Sequence, residues 1–244
     1  MSASIKKRVA IVTGASSGIG LGVTRALLDR GYCVVGNSRS ISGSKELKPS
    51  SDLVLVDGDI SKKETAVKVA ESAFKHFGRI DLLVNCAGIY LPKPFIDYTP
   101  DDFATMIATN VAGYFFITQQ AVAQMLKQKS GHIVSISTVL TDQPLARGHN
   151  TLPVITKSTI PAFSRQLAME YVDDGIRANT ISPGVVDSPM HAGDDHEQLK
   201  KLHPVPQLVQ ISDIVEALLY LESATMVNGE NIRIDGGAHA GAKW

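Results

Sequence analysis

Cysteine is scarce in this 244-residue sequence. The two present, Cys33 and Cys86, both lie inside apolar runs and cannot staple a fold of this size. They read as reduced packing residues, which suits a reducing cytoplasm and excludes a disulfide scaffold. An excess of charge of one sign is missing too. The 24 basic and 24 acidic residues cancel, so the chain carries no electrostatic footprint for nucleic acid or an anionic membrane. No apolar run approaches the ~20 residues needed to cross a bilayer, and the opening MSASIKK lacks the apolar core of a signal peptide. A soluble, cytoplasmic protein is expected. His191, His196 and His203 lie near several acids, but spacings of five and seven residues match no tight zinc motif. No metal site is expected from them.

What is plentiful is apolar side chain, 44% hydrophobic residues against 20% charged. That is enough for a large core, and the length suits one α/β domain spanning residues 1–244. Short apolar runs alternate with amphipathic stretches: RVAIVTG, a helix from about Gly18 to Arg30, YCVVGNS, DLVLVD, a helix from about Lys62 to Phe77, then IDLLVN. A long helix follows from Thr99 to about Gln128, and GHIVSIS, IRANTIS and NIRID complete seven strands. Strands separated by helix-length segments predict a doubly wound parallel sheet with helices on both faces. Ser61 with Glu64 has the pattern of a capping box, and Thr99 before Pro100 that of a capped helix start.

TGASSGIG, residues 13–20, directly follows the first strand and opens the first helix. Gly14, Gly18 and Gly20, with Ser16, Ser17 and Ile19 between them, let the chain turn tightly. Backbone N–H groups and the positive end of the helix dipole then face a pyrophosphate. At the tip of the second strand a carboxylate would bind the ribose hydroxyls of NAD; Ser38 and Arg39 stand there instead. A guanidinium fork suits a 2′-phosphate, so NADP(H) is expected, with NAD(H) the less favoured choice.

Further motifs come in a fixed order: Asp59 and Ile60 after the third strand, NCAG at 85–88, Asn110 in TNVAG, SIST at 135–138, Lys157, SPGVVDSPM at 182–190 and DGG at 235–237. With the glycine loop they make the whole chain resemble the short-chain dehydrogenase/reductase family, in the group with a TGxxxGxG loop. The resemblance implies a Rossmann-type seven-stranded sheet, a nicotinamide cofactor and a small-molecule carbonyl substrate. It assigns Asp59 and Ile60 to the adenine pocket and Asn85, Ala87 and Gly88 to the adenosine ribose. Pro183, Gly184, Val186 and Ser188 fall to the nicotinamide, and residues from about 188 to 210 to a substrate lid. By the same analogy the helices at about 99–128 and 152–171 pair between subunits, implying a homodimer or homotetramer.

In this family an Asn, a Ser, a Tyr and a Lys act together. Asn110 and Lys157 match two of these and also reach the cofactor. On the family's two-serine segment SIST puts Ser137 in the first place and Thr138 in the second, catalytic one, and either hydroxyl could bind the carbonyl oxygen. Four residues before Lys157, where the resemblance expects the tyrosine, stands Pro153. Hydride transfer to a carbonyl creates an alkoxide that must be protonated or stabilised. His149, Thr141, Thr151 or a water polarised by Lys157 are the substitutes in reach. Asn150 or Thr151 is expected to cap the helix that Pro153 opens, and Pro161 to kink it. The resulting expectation is an NADPH-dependent reductase of ketones or aldehydes with a proton source other than tyrosine. The alternatives are a nucleotide-binding sensor or partner subunit without catalysis, and a reductase of C=N or C=C bonds.

Overall fold

Runs rich in Val, Ile and Leu form the central strands, because branched side chains pack well on a pleated surface buried on both faces. In the computed structural model, which describes residues 7–146 and 148–241, the strands are β1 (Val9–Thr13), β2 (Cys33–Ser38), β3 (Leu53–Asp57), β4 (Leu82–Asn85), β5 (Gly131–Ile136), β6 (Ile176–Pro183) and β7 (Asn231–Ile234). They make one parallel sheet in the order β3-β2-β1-β4-β5-β6-β7. The register of β1 is typical: Ile11 sits beside Val35 on one side and Leu83 on the other.

Alternation along β1 divides the core in two. Ala10 and Val12 join Val23 and Leu27 of α1 (Gly18–Asp29) and Ile214, Leu218 and Leu221 of α7 (Ile211–Ser223). Val9 and Ile11 face the other way, onto Val69 of α2 (Lys63–Phe77), Ile117 and Met125 of α4 (Tyr114–Gln128), and Leu167 of α5 (Thr151–Glu170). Each fully buried side chain of this size contributes about 1.5–3 kcal/mol. Two further helices, α3 (Pro100–Ile107) and α6 (His196–Lys200), complete the set. The helix α7 carries no signal that the sequence reading assigned. Because β1 lies between β2 and β4, the chain crosses in opposite directions from it, and a crevice opens at the carboxyl ends of β1 and β4.

Several local expectations are corrected. The helix expected at 99–128 begins as anticipated, with Thr99 and Asp102 in a reciprocal capping box. It then passes through a π-helical stretch, Ala108–Gly113, before α4. Ser61 does not cap α2. Asp59 accepts from the Ser61 N–H at 2.9 Å, which turns the chain there and makes Lys62 the residue before the helix. Asn150 precedes α5 but gives it no side-chain cap, because its Oδ1 accepts from the Tyr90 hydroxyl. Both cysteines are free thiols, Cys33 being buried. Among the described residues no helix is long and apolar enough to cross a membrane.

At the opposite, amino-terminal edge of the sheet a buried polar cluster closes the core. Asn179 Nδ2 donates to His132 Nε2 at 3.0 Å, leaving His132 Nδ1 as the donor to Glu222 Oε2 at 3.1 Å. Arg8 pairs with the other carboxylate oxygen. Burial holds the His132 pKa below its ordinary value despite the carboxylate. Burial would raise that of Glu222, but His132 and Arg8 bring it below the usual range. Both shifts have the same sign for stability. Below about pH 6.5 the unfolded chain takes up the His132 proton that the fold refuses, and near pH 4 it takes up that of Glu222. Stability is therefore expected to fall as pH drops from 7 toward 5, by up to about 1.4 kcal/mol per unit for one histidine. Urea midpoints measured across that range should show the slope, and His132→Gln should flatten it.

Candidate active site

The glycine loop after β1 leaves no space for side chains where it folds back. Gly14 has φ +68°, and a Cβ there would stand 3.0 Å from Ala87 N. A Cβ on Gly20 would stand 2.3 Å from Gly14 O. Ser17 precedes α1 in extended conformation with no side-chain cap, and no acidic residue lies in the first turn. The first N–H groups of α1 are thus available to an anion. Thr13, which the sequence reading passed over, fixes this loop against the end of β4: its Oγ1 accepts from Cys86 N and Ala87 N, both at 3.1 Å. Its place as the last residue of a buried strand was the available signal.

At the tip of β2, Ser38 is half-buried and Arg39 exposed. Among the described residues no carboxylate pairs with Arg39. The nearest acid in register, Asp57 opposite Ser38, is occupied by the backbone N–H and hydroxyl of Ser42. These donors hold its carboxyl below its ordinary pKa. Asp59 is exposed, while Ile60 is buried against Gly113 of the π-helical stretch. Asn85 turns inward: its Nδ2 donates to Thr118 Oγ1 at 3.0 Å and contacts Ser135 Oγ at 3.5 Å. Its side chain therefore braces β4 within the protein.

The structure brings Asn110, Gly88 and Lys157 together. Asn110 Oδ1 accepts from Ile89 N at 2.9 Å, and its Nδ2 donates to Ile89 O and Thr156 Oγ1, each at 3.0 Å. A Cβ on Gly88 would stand 3.1 Å from Lys157 Nζ and 3.2 Å from Asn110 Oδ1, so the backbone passes tightly beside both groups. Lys157 Nζ donates to Ile136 O at 2.9 Å, and burial holds its pKa below the ordinary value for lysine. Thr13, Asn85, Asn110 and Tyr114 line a cavity of about 10 Å³ nearby, near the size one water requires.

The two hydroxyls at the end of β5 separate by geometry. Buried Ser137 donates to Lys157 O at 3.0 Å. That carbonyl is the one whose helical partner Pro161 removes, since proline has no N–H. Ser137 supplies the missing donor, and α5 continues through Pro161 to Glu170. Thr138 Oγ1 instead accepts from Leu140 N at 3.3 Å, which leaves its own proton available. Thr141 donates to Thr138 O. Pro153 is buried in the first turn of α5, and its carbonyl accepts from Thr156 Oγ1. His149 is exposed, with its backbone in the left-handed region, and it is the carbonyl of this residue, accepting from Lys93 N, that ties the loop down.

Beyond β6, Ser188 is extended and lies over Gly18, at 3.8 Å from the position a Cβ would take. In the segment after β6, His191 Nδ1 pairs with Asp194 Oδ2 at 2.7 Å. Among the described residues no three His, Cys, Asp or Glu side chains gather as metal ligands.

A nucleotide-binding α/β enzyme fold is what this sheet and loop define, and comparison with known proteins makes the class specific. A family model described as enoyl-(acyl carrier protein) reductase matches residues 14–239. An uncharacterised oxidoreductase of Staphylococcus epidermidis is 34% identical over 233 residues, covering 95% of this chain and 99% of that protein. A protein of Streptomyces violaceoruber named as a ketoacyl reductase of the granaticin polyketide synthase is 31% identical over 241 residues, covering 95% and 96%. The solved structure of ElxO with NADP bound superposes with a TM-score of 0.87 at 27% identity, covering 97% of this chain and 100% of that one. The chain belongs to the short-chain dehydrogenase/reductase family of oxidoreductases.

The Ser137 hydroxyl and Pro161 are expected to be energetically coupled. Ser137→Ala should cost about 1–3 kcal/mol by orphaning the Lys157 carbonyl, and less in a Pro161→Ala background, where residue 161 again offers an N–H. A double-mutant cycle by urea unfolding measures the difference; equal cost in both backgrounds would contradict the coupling.

Proposed function

We propose that this protein is an NADPH-dependent reductase of ketone or aldehyde carbonyls whose proton does not come from a tyrosine. The observation that carries this is the gathering of the Lys157 ammonium, Asn110 and side-chain-free Gly88 beside an uncapped α1 N-terminus. The cofactor fits the residues present: Gly14 and Gly20 let the loop fold tightly back at the uncapped start of α1, and Arg39, which no carboxylate pairs among the described residues, stands at the position suited to a 2′-phosphate. When bound, NADPH supplies the hydride. Support for this cofactor comes also from the NADP-bound relative.

The chain's own residues then divide the remaining work. Lys157 holds the nicotinamide ribose. The available Thr138 proton points to this hydroxyl, not Ser137, as the donor to the carbonyl oxygen. The carbonyl oxygen, gaining negative charge, would take a proton from a water polarised by Lys157, the ammonium would return a proton to that water, and the lysine would be reprotonated from solvent. Burial makes the lysine a stronger acid than it is in water. Losing a positioned general acid costs about 10²–10⁴ in rate, less than what proximity of donor and carbonyl contributes, so turnover is compatible with Pro153. We assign the protein to the cytoplasm and to a homodimer or homotetramer, supported by exposed Phe115 on α4 and Met169 on α5. The apolar ring at Pro153 favours a second reading, reduction of a C=N or C=C bond, which asks less of an acid directed at oxygen.

Titration with NADPH and NADH, followed by NADPH oxidation with activated ketones, imines and enones, tests both readings. Turnover of ketones is expected; tight binding with no turnover of any class would leave a nucleotide-binding sensor or partner subunit. Arg39→Asp is expected to weaken NADPH about 10-fold or more while leaving NADH nearly unchanged, since a guanidinium–phosphate contact is worth about 1.5–3 kcal/mol. Equal loss for both nucleotides, measured by fluorescence titration, would exclude Arg39 from the 2′-phosphate.

A further inference from the structure

His203 lies outside every role assigned so far, yet it is 5% exposed and uses both ring nitrogens. Nε2 accepts the Val185 N–H at 2.9 Å, and Nδ1 lies 2.6 Å from Gln207 O. An acceptor at Nε2 and a carbonyl opposite Nδ1 define one tautomer, neutral and protonated at Nδ1. The ring rests directly on the turn after β6: a Cβ on Gly184 would stand 2.3 Å from Nε2. Gly184 must be glycine because the imidazole takes that space.

The same turn is held from its other side by the chain that follows His203. Val209 N donates to Val185 O at 2.9 Å, and Asp187 N donates to Val209 O at 2.8 Å. Val205 N donates to Gly236 O at 3.0 Å. Both polar backbone groups of Val185 are thus satisfied by lid residues, the N–H by the one side chain and the carbonyl by the backbone. The lid therefore has two differently built parts. Residues 203–209 are fixed to the sheet end, whereas the side chains of His191, Asp194 and the short helix α6, among the described residues, hydrogen-bond within that part of the chain.

We propose that His203 is a positioning residue for the nicotinamide end of the cofactor site. Through the Val185 N–H it sets the path of Pro183–Ser188, and hence where Val186 and Ser188 meet the nicotinamide ring. This rests on the reading of that turn as the nicotinamide-binding segment. His203 touches neither cofactor nor substrate; its effect passes through the backbone. An adenosine-end ligand held by Arg39 should be insensitive to it, since Arg39 stands at the tip of β2, with β1, β4 and β5 between that strand and β6.

The discriminating measurement compares binding of NADPH with binding of 2′,5′-ADP, which lacks the nicotinamide, by calorimetry. His203→Ala is expected to weaken NADPH about 10-fold, corresponding to about 1.4 kcal/mol, and to leave 2′,5′-ADP unchanged. His203→Asn, which removes the Nε2 acceptor, should behave like the alanine variant. His203→Gln should restore most of the NADPH affinity, because its amide oxygen reaches the place of Nε2. Equal weakening of both ligands, or undiminished NADPH binding in the asparagine variant, would overturn the proposal. A wild-type protein that binds NADPH no more tightly than 2′,5′-ADP would instead overturn the nicotinamide reading of the turn itself.

Discussion

A partly buried ammonium that has no carboxylate partner among the described residues is the constraint on which the site depends. Lys157 has one backbone carbonyl, that of Ile136, as its hydrogen-bond partner and is enclosed by the ends of β4 and β5. Desolvation of such a charge is costly, and the surroundings are shaped to limit that cost. Gly88 leaves space above it, Asn110 closes the gap between β4 and α5, and Ser137 ties the helix backbone at Lys157 itself. A fold that keeps this arrangement keeps a cation facing the nucleotide crevice.

The same constraint explains why Pro153 and Pro161 are tolerated on either side of the lysine. Pro153 lies in the first helical turn, where its missing N–H has no intrahelical partner to lose. Pro161 lies one turn past Lys157 and does lose one, and the Ser137 hydroxyl supplies the replacement. The first of the two hydroxyls at the end of SIST is thereby drawn into holding the helix. Thr138, one position on, is left with the available proton. Pro161 in α5 and the inward-turned Ser137 of β5 are two parts of one local arrangement of α5 against β5.

Much of the fold was legible because the signals are local. Strands buried on both faces need continuous branched apolar runs, and all seven stand at the places read from the sequence. The glycine loop was legible because positive φ and close backbone approach both demand glycine at Gly14. Misreadings arose where a polar group found a partner other than the helix end expected of it. Ser61 yielded the helix start to Asp59, and Asn150 gave its oxygen to Tyr90, sixty residues away. The π-helical turn around Asn110 had no separate sequence signal, since its side chains continue the helical pattern.

The sequence by itself determined the order of strands and helices, the phosphate loop, Arg39 at the tip of β2 and the absence of a phenol at position 153, because each follows from residue type and short-range spacing. Tertiary structure alone decided which hydroxyl beside Lys157 retains an available proton, which way Asn85 turns, and that His203 braces the turn at Gly184. Those outcomes depend on hydrogen bonds between segments 18 to 50 residues apart. Their geometry is set by how the sheet brings strand ends together, and spacing along the chain does not encode it.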